Sequence, residues 1–245
     1  MHVYDTAVIG CGYFAVGYAK ARGNAIILEA EQTCDTHFYL PLRTFRVPPY
    51  EPTTAEGRRL AEVFLEAGIY RGDEQNTNAL ECAFCRYLSK DAPSILLKCR
   101  AVEIVEEDGI FRLTISTNEG LSTLRARRIL STESCGEDKT YTLLYTAKDP
   151  KATEAALLAA FPGATVEPAF YPDRYALHID GRGHDENSVK RAVCERLSAC
   201  GIALTVIYMA PVFAYRGESP LCDDAYSHPI EALEAGIRYA KEVEA

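Results

Sequence analysis

The sequence predicts an α/β protein: a parallel sheet with a three-stranded meander, interrupted by an inserted α+β domain of order βαββαβ. Three stretches predict it. Residues 5–9 form an apolar run cut off by Gly10, residues 13–22 have helical composition, and Ala25 to Leu28 is a second apolar run. Short continuous apolar runs around a helix read as buried parallel strands in a compact βαβ unit. Further on, Ser94–Cys99, Val102–Glu106, Phe111–Thr117 and Leu121–Leu130 are β-like, with Asp108-Gly109 and Glu119-Gly120 as turns between the last three. Residues 141–208 then read as strand, helix, two strands, helix and strand, the split-βαβ order.

The remaining elements follow in order. Gly23-Asn24 stops the first helix. From Ala30 to Pro52 the chain is irregular and long for a compact-domain loop, so it is expected to be functional and to lie over something. Thr53-Thr54 with Glu56 can cap a helix reaching about Ala67, and Thr77 opens another to about Lys90. In the inserted segment the strands are Tyr141–Thr146, Ala164–Phe170, Tyr175–Ile179 and Ala203–Tyr208, the helices Ala152–Ala160 and Glu186–Cys200. The last helix, from Pro229 to about Val243, spaces Ile230, Leu233, Ile237 and Ala240 on one face and is expected to return to the first sheet. The domain division that results is 1–138 with 210–245, and 139–209 inserted.

Composition narrows the function class. With 48% apolar and 25% charged residues over 245 positions, the chain has the balance of an ordinary globular protein. A net charge of −9 argues against nucleic acid or anionic membrane as partner. Arg125, Arg127 and Arg128 read as a solvated strand edge. Nine cysteines are many, but the number is odd, and Cys99, Cys194 and Cys200 sit in apolar runs as small hydrophobes. Cys82 and Cys85 form a CxxC pair on a helical pattern with no second pair to complete a zinc site. No signal peptide is visible, and no run approaches the ~20 apolar residues of a membrane helix. The expectation is a cytoplasmic protein that acts on a small molecule.

The chemistry concentrates at Gly10-Cys11-Gly12-Tyr13-Phe14-Ala15, a GxGxxA at the strand-to-helix turn. Gly10 allows the tight turn, Gly12 lets the backbone approach a pyrophosphate, and small Ala15 lets helix and strand pack closely. Free N–H groups at the helix start, aided by the helix dipole, are expected to hold the phosphates. Glu29 ends the second strand, where an acid accepts from an adenosine ribose, and Ala30 follows it. Ala19 fits the small position one turn on. The plain alternative is an apolar α/β unit that happens to carry two glycines.

At this point the sequence resembles the FAD-dependent oxidoreductases of the glutathione-reductase-like type, in a short form. The helix from Thr77, the strand from Ser94, the run CRAVEIVEEDGIFRLTISTNEG, the strand RARRILSTES and the closing CDDAYSHPIEALEAGIRYA follow that family's order. The resemblance implies FAD as cofactor, with the Val102 backbone against adenine and Thr132 at the turn beside the flavin. It also implies Asp223 or Asp224 toward the ribityl phosphate, and Pro229-Ile230 presenting helix N–H groups to the ring. The chain departs from the pattern after Glu29, where EAEQTCDTHF lacks the usual glycine pair. It departs again at STES and CDD, which lack theirs, and no second GxGxxG exists.

Two residues are candidates for catalysis. Cys34 lies in the loop after Glu29, and a reactive thiolate there would need a nearby cation or helix start; an inert buried thiol is the alternative. His228 precedes Pro229, where it is either an acid–base group beside the flavin or a helix-cap neighbour. His37 and Arg43 share the Cys34 loop and are candidates for holding an anion. His178, Asp180, His184 and Asp185 read as a strand-to-helix turn with Asp185 capping, so no metal is expected. The reading is an FAD-dependent oxidoreductase. Its rivals are a non-catalytic FAD-binding protein and an NAD(P)-dependent dehydrogenase with the same fingerprint.

Overall fold

A computed structural model describes residues 2–35, 37–133, 137–217 and 219–243. The chain opens with a short strand, β1 (Val3–Tyr4), and the apolar run β2 (Thr6–Ile9). Gly10 ends β2 at φ +94°, a backbone that glycine adopts without strain. Helix α1 (Tyr13–Arg22) leads to β3 (Ala25–Leu28), which runs parallel to β2 with Ala7 opposite Ile26. Every residue from Tyr13 to Ala19 is buried. A helix apolar on all sides belongs inside a core rather than on a surface.

After the irregular segment 30–54 comes α2 (Ala55–Glu66), capped by Thr54, whose Oγ1 accepts from Gly57 N at 2.9 Å. A small hairpin follows, β4 (Tyr70–Arg71) with β5 (Glu74–Gln75). A single turn at Thr77–Ala79 leads into α3 (Leu80–Leu88), and β6 (Ser94–Leu96) joins β3 in parallel. The meander is β7 (Arg100–Glu107), β8 (Ile110–Thr117) and β9 (Gly120–Ala126). Its first turn has positive φ at both Asp108 and Gly109, the hairpin geometry that an Asp-Gly pair favours.

The run expected as one strand from Leu121 to Leu130 is two. Strand β9 pairs antiparallel with β8, whereas β10 (Ile129–Ser131) pairs parallel with β2. The cause is a matched break in the neighbouring chain. Arg127 N donates to Tyr4 O and Ala7 N to Arg128 O, both at 2.9 Å, so the switch at Arg127-Arg128 follows the interruption at Asp5 between β1 and β2. Ser134, which closes the run quoted above, lies outside the described residues.

Two sheets therefore stack. The parallel one has the order β10-β2-β3-β6, and the meander with β1 has the order β1-β9-β8-β7. Alternating side chains on the parallel strands serve opposite faces. Ala7, Ile26 and Leu28 meet Leu113, Ile115, Leu124 and Ala126 of the meander, while Val8 and Ile27 meet α1.

Beyond these lie β11 (Lys139–Ala147), α4 (Pro150–Ala160), β12 (Thr165–Pro168), β13 (Tyr175–Asp180), α5 (Glu186–Cys200) and β14 (Leu204–Met209). They form an antiparallel sheet of order β12-β13-β11-β14, with β15 (Ala214–Tyr215) against the start of β11. Asp185 caps α5 by accepting from Asn187 N and Ser188 N. Tyr141, Leu143 and Tyr145 of β11 pack with Leu157 and Phe161 of the α4 side and Val189 and Val193 of α5. On the other face Leu144 and Ala176 cover Leu42 and Phe45. The long segment after Glu29 is thus held between this sheet and the core around α1, where Phe38 packs on Tyr13.

Helix α6 (Pro229–Glu242) packs on α1 rather than returning to the first sheet, because α1 already covers that face. The approach is close. A Cβ on Gly17 would stand 2.0 Å from Leu233 O, and one on Gly236 2.1 Å from Phe14 O. Among the described residues no helix is long and apolar enough to cross a membrane.

Candidate functional site

The carboxyl ends of β2, β3 and β10 lie side by side, which brings Gly10, Glu29 and Thr132 together. Crevices outside such strand ends are where open α/β sheets take ligands. Thr132 Oγ1 donates to Gly10 O at 3.0 Å and thereby closes the turn. Glu29 is buried, with Oε2 accepting from Cys11 N at 2.6 Å and Oε1 from Glu31 N at 2.7 Å. Burial pushes the Glu29 carboxyl up from the ordinary value, against the pull of those two N–H groups.

The start of α1 is not the free donor set that the fingerprint leads one to expect. Asp223 sits on it, accepting from Tyr13 N at 2.8 Å and from Phe14 N at 2.7 Å. The dipole and unpaired N–H groups of a helix start attract an anion, and the chain supplies its own. Gly12 makes room for this carboxylate, since a Cβ there would lie 2.2 Å from Asp223 Oδ2. Ala15 is fully buried against the sheet side of the core.

Three features rest on contacts that the sequence does not announce, although His37 and Arg43 stand among its candidates for holding an anion. The first is Asp35, buried and accepting from Tyr13 Oη at 2.8 Å, Phe38 N at 3.1 Å and Tyr39 N at 3.0 Å. The second is Arg43, whose guanidinium binds the carbonyls of Asp223 at 3.0 Å and Asp224 at 2.5 Å and so fixes the closing loop. The third is a convergence of ligand-type side chains: His37, Cys222 and Asp224 are all buried, with their donor atoms within 4.8 Å of one another. Burial opposes charge on His37, but Asp224 and Cys222 outweigh it and raise the imidazole well above its usual value.

Burial raises Asp35 from 3.8 to about 6, more than the N–H of Tyr39 and the hydroxyl of Tyr13 can offset. Folding therefore favours the neutral acid. Its contribution is fully present below pH 3.8 and is lost as pH rises through about 6. Asp35→Asn is expected to flatten that part of the stability profile. Thermal unfolding of both proteins across this interval checks it, and an unchanged slope would exclude Asp35 as the responsible group.

Cys34 is buried beside Cys11, whose thiol burial raises first and the Cys34 side chain raises further. His228 takes the helix-cap role: its Nδ1 accepts from Ile230 N at 3.1 Å, and its ring lies between Tyr50 and Tyr70, each 5.3 Å away. Burial lowers its pKa to about 4, so it is neutral near pH 7, with its one ring proton on Nε2. Pro229 occupies the first turn of α6 and Ile230 is in the core, with its N–H already used.

Three cavities run past these residues. One of about 500 Å³ lies between Ala30, Val102, Lys98 and Arg100. A second of about 270 Å³ is bounded by Gly10, Glu29, His37, Asp224 and Tyr215, and shares Ala30 and Arg100 with the first. A third of about 640 Å³ shares Tyr215 with the second and reaches Arg43, Arg46, Lys139, Arg182 and Ser227. Through these shared residues the three cavities adjoin one another.

No protein-family model matches the chain, and no curated protein matches it in sequence. Solved structures do resemble it. p-Nitrophenol 4-monooxygenase PnpA from Pseudomonas putida DLL-E4 gives a TM-score of 0.55 at 16% identity, covering 99% of this chain and 81% of that one. A geranylgeranyl bacteriochlorophyll reductase-like protein from Thermoplasma acidophilum gives 0.55 at 13%, covering 98% and 78%. Aklavinone-11 hydroxylase, in a ternary complex with FAD and aklavinone, gives 0.51 at 12%, covering 99% of this chain and 62% of that one. The three are a monooxygenase, a reductase-like protein and a hydroxylase, and none is a disulfide reductase. At such identities the likeness establishes the fold, and not membership of the glutathione-reductase-like type.

Proposed function

We propose that this chain is a flavoprotein oxidoreductase that binds FAD along the carboxyl edge of its parallel sheet and acts on a small molecule. The observation that carries the reading is the set of adjoining cavities beside Gly10, Glu29, Ala30 and Val102, residues from three places in the sequence. An extended dinucleotide needs such a set, and a compact ligand does not. Glu29 would hold the adenosine ribose, the Ala30–Val102 cavity the adenine, and Arg100, which lines both that cavity and the one beside Gly10, would offset the phosphates. The residues fit the group in extent and in these contacts. At the helix start, FAD would compete with Asp223 for Tyr13 N and Phe14 N. A bound flavin supplies hydride chemistry, and the protein orients and shields it. The fold neighbours include a hydroxylase solved with FAD, which favours this cofactor over a nicotinamide.

A visible spectrum of the purified protein tests the reading, followed by uptake of added FAD by the colourless fraction. Flavin absorption and saturable FAD uptake are expected. Glu29→Ala is expected to weaken uptake about tenfold or more, the loss of a charged hydrogen-bonding partner. Protein that takes up no FAD, or takes up nicotinamide dinucleotide instead, would overturn it.

The seat that Asp223 takes on α1 favours one other reading, a nucleotide-binding fold that no longer carries out a reaction. Such a protein would bind FAD without passing electrons to any acceptor. Reduction of bound flavin followed by reoxidation with candidate acceptors separates the two.

A further inference from the structure

We infer that His37, Cys222 and Asp224 form a three-ligand site for a divalent transition-metal ion, zinc by preference. His37 Nδ1 lies 3.9 Å from Cys222 Sγ, Cys222 Sγ lies 3.5 Å from Asp224 Oδ2, and His37 Nδ1 lies 3.7 Å from the same oxygen. A triangle with these edges has its centre about 2.1 Å from every corner, close to the ~2.0–2.1 Å of zinc–nitrogen and zinc–oxygen bonds. An ion standing slightly out of the plane, on the side away from sulfur, also meets the ~2.3 Å of a zinc–thiolate bond.

The surroundings hold the ligands in place. Cys222 and Asp224 flank Asp223 on one tight turn, in which Ala225 N donates to Cys222 O and Cys222 N to Ser219 O, each at 3.1 Å. Arg43 stands behind the carboxylate, with Nη1 3.7 Å from Asp224 Oδ1, the oxygen not offered to the ion. Outer partners of this kind orient metal-binding carboxylates. All three residues are buried. A thiolate, a carboxylate and a neutral imidazole around a doubly charged ion sum to zero, which suits an enclosed position. Mixed sulfur, nitrogen and oxygen donors select zinc or a similar ion over magnesium or calcium. Three protein ligands leave a fourth position for water or a substrate atom. His37 and Asp224 both line the cavity of about 270 Å³, onto which that position would open.

The site is tested on flavin-free full-length protein, stripped with a chelator and titrated with cobalt(II) and then zinc. Either reading can therefore fail without the other. Expected are one cobalt per chain, a thiolate-to-cobalt charge-transfer band, and bleaching of that band by one equivalent of zinc. Loss of an outer partner alone costs such sites about 10–100-fold in affinity, so Cys222→Ser is expected to cost at least about a hundredfold and to remove the band. The doubly substituted Cys82→Ser/Cys85→Ser protein, which lacks the exposed CxxC pair, is expected to keep both. If Cys222→Ser folds poorly, His37→Gln and Asp224→Asn provide a second readout. Zinc raises the Tm of the wild type by binding the folded state and is expected not to raise theirs. Substoichiometric cobalt, a band that survives Cys222→Ser, or a band lost with Cys82 and Cys85 would overturn the site.

Discussion

Gly17→Ala is expected to destabilise the fold by about 3 kcal/mol or more, although it places a better helix former in a helix. Helix propensity alone favours alanine over glycine by about 1 kcal/mol. The opposing effect is larger because the new Cβ would lie 2.0 Å from a backbone oxygen, Leu233 O, and no side-chain rotation can relieve it. Helices α1 and α6 would have to separate by about an ångström, loosening an interface where close packing is the norm. Phe14, Tyr18, Leu233 and Ile237 would all lose contact. For a chain of this size the loss corresponds to a fall in Tm of roughly 6–12 °C. Gly236→Ala should behave alike, since its Cβ meets Phe14 O at 2.1 Å. A Tm that rose in either variant would mean that propensity prevails and that the two helices are not in such close approach.

Glu234→Ala should cost about 3–5 kcal/mol, the range seen when a buried charged partner is removed from a satisfied network. Glu234 has no exposed surface and accepts five hydrogen bonds. They come from Tyr50 Oη, Thr53 N, Thr53 Oγ1, Thr54 N and Thr54 Oγ1, at 2.6 to 2.8 Å. Removal leaves two backbone N–H groups without an acceptor, at the point where α2 is capped and pinned to α6. Glu234→Gln should cost less. Its amide oxygen can keep Thr53 N and Thr54 N, and its NH₂ group can donate to hydroxyls that turn around.

The same residue links stability to pH. Burial pushes its carboxyl up, but the donors of Thr54, Thr53 and Tyr50 together bring it below 4.5. A lowered folded value means the contribution is complete above pH 4.5 and is lost as pH falls through the folded value. Urea unfolding of wild type and Glu234→Gln on both sides of that range checks it. Identical acid sensitivity would exclude Glu234 as its source.

What could be read in advance was local. The unit from Val3 to Glu29 announces itself because apolar period, glycine and acid lie within one stretch, and the hairpin at Asp108-Gly109 because two residues suffice for its geometry. Asp185 and Thr54 were legible as caps for the same reason. The rest depends on partners far along the chain. Tyr13 N and Asp223 are 210 positions apart, and nothing near either marks them as a pair. Gly17 and Gly236 look like weak points in two helices until the helices are seen to cross there. The segment from Leu121 to Leu130 is uniformly β-like, so its change of sheet shows only against the break at Asp5. His228 carries equal local signs of a catalytic and a capping residue; the cap becomes visible only in the bond from Ile230 N to its Nδ1. His37 and Cys222 carry no mark of each other.

The crossing of α1 and α6 also sets an order on folding. Their contact joins the first and last helices of the described chain, so closing it carries a large loop-closure cost and comes late. The sheet from β11 to β15 draws all its strands from Lys139–Tyr215, with its own apolar core, and has no such delay. During synthesis that middle part can settle first, while the face of α1 awaiting α6 remains uncovered until α6 has been made.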